Sequence, residues 1–145
     1  MHGEKGQSLI ELVVSIAIAI LVLSSLAFAI ITSLRNAGFA SSQAQATKLA
    51  QEGLERVRSI RDRSNFNDLW TQQLSCSDAS CYFKFESGVL IHVTSGSFEA
   101  IPPFKRQILI EDEGVDQKKV TAVVEWNDAS GRHESRLTTI LGKEL

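Results

Sequence analysis

The sequence predicts an α+β protein in which a long N-terminal α-helix, membrane-spanning in its first half and amphipathic in its second, packs on a small antiparallel β-sheet. Three patterns predict it. Leu12 to Leu34 is a run of 23 residues without a charge. Residues 41–63 then repeat apolar side chains at spacings of three and four. Beyond Asn67 the pattern changes to alternating segments bounded by turn residues. The chain has 145 residues, enough for one domain, and 43% of them are hydrophobic. A net charge of −2 carries no bulk signature of a nucleic-acid binder or of a polybasic membrane patch.

The apolar run comes first. At ~1.5 Å per residue a helix of that length reaches roughly the ~30 Å of a bilayer core. Valine and isoleucine do not argue against helix here, because a segment in lipid must satisfy its own backbone hydrogen bonds. The run is apolar on every face, and the remaining residues, roughly 110 of them, could hardly enclose it as a core helix. Loop charge does not orient it, since Lys5 precedes it and both Arg35 and Lys48 follow. A cleaved secretory signal finds an A-x-A site at Ala27-Phe28-Ala29, but the apolar run continues through Ile30 and Ile31 to Leu34. A plain anchor gives Glu11, the acid at the start of the segment, no role. Such an acid is expensive near hydrocarbon and usually marks a pairing or a function.

A third reading uses every unusual residue. The stretch "KGQSLIELVVSIAIAI", residues 5 to 20, resembles the N-terminus of type IV prepilins and pseudopilins. The resemblance implies a short basic leader, residues 1–6, cut by a prepilin peptidase between Gly6 and Gln7. It implies methylation of the new amine on Gln7, and it makes Glu11 the family's acidic position. It also implies as partners other pilin subunits, the peptidase/methyltransferase and an inner-membrane assembly platform, with membrane lipid around the helix before assembly. The pairing logic is physical. The amine of residue 7 lies ~6 Å along the axis from residue 11, so a neighbouring chain, displaced along the helix, presents its amine to Glu11 more easily than the same chain does. Glu11 then rewards one stagger between subunits. Two departures from the family pattern are a glutamine instead of an aromatic at position 7, and the absence of proline from Leu12 to Leu34. Without proline an expected kink is lost, which favours a minor pilin or pseudopilin over a major fibre subunit.

Past the run, Ala46, Leu49, Ala50, Gly53, Leu54, Val57 and Ile60 form one apolar stripe, with Gln and charged residues on the other faces. Gly38 is expected to loosen the helix between its halves, at a cost of ~1 kcal/mol relative to alanine. "KLAQEGLERVRSIRD" is similar to the PilV-like minor pilins and the I-type pseudopilins of type II secretion. Arg56, Arg58, Arg61 and Arg63 read two ways: as a patch for nucleic acid, or as a solvated face interleaved with Glu52, Glu55 and Asp62. The acidic net charge favours the second.

The strand segments are residues 81–87, 88–95, 104–113, 118–127 and 132–141, with Asp128-Ala129-Ser130-Gly131 as a hairpin turn. In the fourth, Val120, Ala122, Val124 and Trp126 share one face while Thr121 and Glu125 share the other. One buried face and a sheet of about four strands under the helix are expected. Cys76 and Cys81 are placed to close a small polar loop by a disulfide if the domain lies outside the cytoplasm; free thiols or a metal half-site are the alternatives. Zinc is not expected, because His92 and His133 lack ligand spacing to the cysteines or to each other. His92 reads as a half-buried strand residue. In "RHES", His133 and Glu134 point to opposite faces and cannot cooperate. The acidic run Glu111, Asp112, Glu113 reads as a solvated turn rather than a calcium site.

No catalytic motif and no cofactor signature is present, so a non-enzymatic role is expected. The expected organisation is a leader at 1–6, a transmembrane and filament-core helix at 7–34, an amphipathic continuation at 35–67 and a β-rich head at 68–145. The expected function is a minor pilin or pseudopilin of a pilus-like filament, or of a secretion or DNA-uptake machine, with an extracytoplasmic head on a single-pass helix. The alternative is an anchored extracytoplasmic sensor or ligand-binding domain that does not polymerise.

Overall fold

A computed structural model of the chain describes residues 4–63, 80–114 and 117–142. It has one helix, α1 (Glu4–Arg63), and six strands among these residues: β1 (Ser80–Glu86), β2 (Val89–Val93), β3 (Glu99–Ile101), β4 (Phe104–Asp112), β5 (Gln117–Asp128) and β6 (Gly131–Gly142). The chain divides into two compact units, residues 1–41 and 42–145.

The first unit is helical from Glu4 onward. The hydroxyls of Ser15, Ser24, Ser25 and Thr32 each donate to a carbonyl three or four residues earlier on the same helix. Apolar sequence and these four self-satisfied hydroxyls together leave little polar side-chain surface seeking water between Leu12 and Leu34. α1 runs through Gly38, since one glycine costs a helix only ~1 kcal/mol.

The second unit is a helix on a sheet. Strands pair antiparallel in the order β2-β1-β4-β5-β6, and β3 pairs with the start of β4 beyond the end of β1. The sheet therefore has six strands rather than about four. β3 is three residues long, too short to show a period in the sequence. Two-residue turns join β1 to β2 at Ser87-Gly88 and β5 to β6 at Ala129-Ser130. Ser87 and Gly88 have φ of 51° and 82°, the twisted turn that matches the hand of the strands.

The core lies between the apolar stripe of α1 and one face of the sheet. Ala46, Ala50, Leu54 and Val57 are buried against Phe83, Phe85, Ile108, Val120, Ala122, Val124 and Trp126, and Leu49 and Ile60 pack at the rim. Burying each of the larger side chains contributes about 1.5–3 kcal/mol. Gly53 leaves room for the sheet side chains that lie against the helix there. A Cβ there would lie 3.1 Å from both Arg106 Cδ and Ile108 Cδ1.

One expectation for β5 is corrected. Its far face is also covered: Thr121, Val123 and Glu125 are buried alongside Val120, Ala122, Val124 and Trp126. The segment after β2 contributes to that cover, since Gln107 Nε2 donates to the carbonyls of Thr94 (3.2 Å) and Ser97 (2.8 Å).

Candidate functional site

The feature that most needs a function is the first part of α1. Every large apolar side chain from Leu9 to Leu34 is half or more exposed, from 50% at Ile31 to 70% at Leu21 and Phe28. Contiguous apolar exposure of this extent marks a surface that something else must cover. By length and composition this helix can cross a membrane. Glu11 is the one charge in that stretch of sequence. It sits in regular helix, its carbonyl accepting from Ser15 Oγ at 2.7 Å and its own side chain exposed. Gly6 and Gln7 lie in the first turns of α1; the Gln7 side chain falls outside what is described.

In the second unit, a buried cation joins helix to sheet. Arg106 is 1% exposed, and its Nε and Nη2 donate to Glu99 Oε2 at 2.9 and 2.7 Å. Its Nη1 donates to the carbonyl of Leu49 in α1 at 2.8 Å, and its guanidinium lies 5.3 Å from the centre of the Phe85 ring. The missing side chain at Gly53 gives Arg106 its path to the helix. Sequence reading did not single out this residue. The alternation was present: Arg106 falls in the same register as Phe104, Ile108 and Ile110.

On the far face a cavity of about 270 Å³ is lined by Tyr82, Phe98, Gln107, Glu125, Arg132 and Arg136 among others. Glu125, 6% exposed in its side chain, is flanked by Lys105 Nζ at 3.1 Å and Arg132 Nη2 at 3.5 Å. Its Oε2 makes no hydrogen bond despite the short distance to Lys105, so charge alone holds that oxygen. A carboxylate already flanked by two cations offers little to a ligand.

Cys81 on β1 is disulfide-bonded; Cys76 lies outside the described residues. His92 is exposed rather than half-buried, because β2 is the edge of the sheet, and its ring meets Phe83 edge-on at 5.5 Å. His133 stacks on Trp126 at 5.4 Å and its Nε2 is 2.9 Å from Asp128 Oδ1, whereas Glu134 takes Arg136 on the other face. The hydrogen bonds from His133 and from the Ser130 amide hold the Asp128 carboxyl below its ordinary value. Glu111 pairs with Lys119 and Asp112 with Lys118 across β4 and β5, so those carboxylates are already engaged. The hydrogen bond to Glu111 raises the Lys119 ammonium above its usual range. Arg56 and Arg58 pair with Glu52 and Glu55, Arg61 with Asp62, and Arg63 with Ser59. Among the described residues no cluster of His, Cys, Asp and Glu could hold a metal ion.

Comparison of the chain with protein-family models, curated proteins and solved structures finds no match.

Proposed function

We propose that the chain is a non-enzymatic, membrane-anchored structural subunit of the prepilin and pseudopilin kind, which leaves the bilayer by packing its N-terminal helix against those of other subunits. The observation that carries the reading is the exposed apolar surface of Leu9 to Leu34 with Glu11 as its sole charge. Lipid covers that surface before assembly, and neighbouring helices cover it afterwards. Apolar contacts between such helices have no preferred axial position, so a carboxylate paired with a neighbour's amine sets the stagger. Cleavage after Gly6 exposes that amine on Gln7. In the uncleaved chain, residues 1–6 occupy the place where the amine must sit, and assembly stops.

The head faces the extracytoplasmic side, where a Cys76–Cys81 disulfide persists. The partners are other pilin-like subunits, a prepilin peptidase/methyltransferase, the inner-membrane assembly platform and membrane lipid. The arginines of the second half of α1 stay a solvated face in this reading, with nucleic acid as an unneeded partner.

Intact mass and N-terminal fragmentation of the protein from its native membrane test the proposal. A chain beginning at methylated Gln7 is the expected result. A chain still beginning at Met1 while the peptidase is active refutes the filament reading and favours an anchored sensor, and one beginning at Ile30 means a secreted protein. Glu11→Ala is expected to leave processing and membrane insertion intact and to remove the subunit from filaments.

A further inference from the structure

β6 forms an edge of the sheet. No described strand pairs with it on the side away from β5, and it is 12 residues long. The turns establish which backbone groups are open. A two-residue turn closes on a hydrogen-bonded pair, here Glu86 with Val89, and such pairs alternate along every antiparallel ladder. The registers of β1, β4 and β5 carry that alternation to β6. It directs the N–H and C=O of Arg132, Glu134, Arg136, Thr138 and Ile140 outward, and all five residues are exposed. An edge of this length is a template for another strand.

We propose that this edge pairs antiparallel with β6 of a second copy of the chain, with Ser135 opposite Ser135. The charge pattern selects both occupant and register. Centred on Ser135, the pairing sets Glu134 against Arg136 of the second copy twice, and Arg132 against Thr138. Centred on Glu134 it sets that acid against itself and Arg132 against Arg136. Centred on Arg136 it sets the arginine against itself. A shift to a centre at His133 keeps only Gly131 to Ser135 within paired strand. The Ser135 register alone joins two complementary pairs to a long overlap without like charges opposite. Each such pair favours association modestly and each like-charge pair opposes it. In the single chain Arg136 Nε reaches Glu134 Oε1 at 2.9 Å along the same strand, and pairing exchanges this contact for its counterpart across the interface. The inference does not depend on the filament reading, since it uses no residue of the apolar helix.

The test uses the full chain in detergent micelles and the yield of disulfide-linked dimer under mild oxidation. Chains carrying Arg132→Cys mixed with chains carrying Thr138→Cys are expected to cross-link, because those positions face each other at hydrogen-bonded-pair distance. Either chain alone is expected not to. Adding Glu134→Arg to both chains, or Arg136→Glu to both, puts like charges opposite twice and lowers the yield about tenfold. Placing Glu134→Arg in one chain and Arg136→Glu in the other restores it, since each chain supplies the charge the other lacks. The contact within one chain is lost in both variants and stays lost in the mixture, so it cannot produce the recovery. Absence of cross-linking in the unmodified-charge mixture, equal cross-linking of each chain alone, or a yield indifferent to the charge changes overturns the proposal; the last is what association through the apolar helices would give.

Discussion

Replacing Arg106 by methionine tests whether a buried cation or apolar packing fixes α1 on the sheet. Methionine keeps much of the stem volume and removes the three donors that reach Glu99 Oε2 and Leu49 O. What remains is a Glu99 carboxylate with only 18% of its side chain exposed and no cation beside it. Breaking a buried pair by removing one partner costs about 3–5 kcal/mol, and the partial exposure of Glu99 puts the expectation at the low end, about 3 kcal/mol. Removing both charges, in Arg106→Met with Glu99→Leu, takes away the orphaned group and is expected to cost less than the single change. Urea unfolding of the full chain in mild detergent, followed by tryptophan fluorescence, measures both, since Trp126 lies in the same core. A coupling of about 2 kcal/mol in the double-mutant cycle is expected. Additive effects, or a loss under about 1 kcal/mol for Arg106→Met, would refute the reasoning and assign the fixing of α1 to apolar packing.

Gly53→Ala is expected to destabilise by about 1–3 kcal/mol, because the gain in helix propensity is outweighed by contacts at 3.1 Å with a pinned Arg106 and a fully buried Ile108. Gly38→Ala, which meets nothing within 4 Å, is expected to leave stability unchanged or raise it by up to about 1 kcal/mol; thermal unfolding by circular dichroism compares the two. The lowered Asp128 carboxyl contributes to the β5–β6 turn above its unfolded-state value and loses that contribution as pH falls through the folded one. A carboxyl-carbon NMR titration is expected to show Asp128 moving up in His133→Ala; an unmoved midpoint would mean that the Ser130 and Gly131 amides alone hold it.

The helix stripe and the inward face of β5 were legible because each repeats at the period of its element. Ala46, Ala50, Leu54 and Val57 are three to four apart, and Val120, Ala122, Val124 and Trp126 are two apart, and all of them are in the core. Burial on the other side of β5 was not legible, because part of its cover comes from an irregular segment between Val93 and Glu99 that has no period to read. Lys105, for example, folds over Phe98 with its ammonium 4.7 Å from the ring centre. Glu99 and Arg106 were missed together: their pairing depends on β3, whose three residues carry no pattern, and on the register of β3 with β4. The apolar segment and Glu11 were legible as an imbalance of composition, but the partner that would satisfy the acid is in another molecule.

The Leu49 carbonyl gives Arg106 a mechanical meaning. Ala46, Ala50 and Gly53 leave a shallow strip along the sheet-facing side of α1 ahead of Leu54 and Val57, and apolar contact over such a strip resists separation better than it resists slip. A guanidinium that donates to one backbone oxygen of the helix works as a detent: advancing α1 along its axis by even one residue takes that oxygen out of reach. Thr47 Oγ1, 3.3 Å from Ser135 Oγ, adds a second polar contact between the layers, so sliding α1 along the sheet has to break bonds to β4 and to β6 at once.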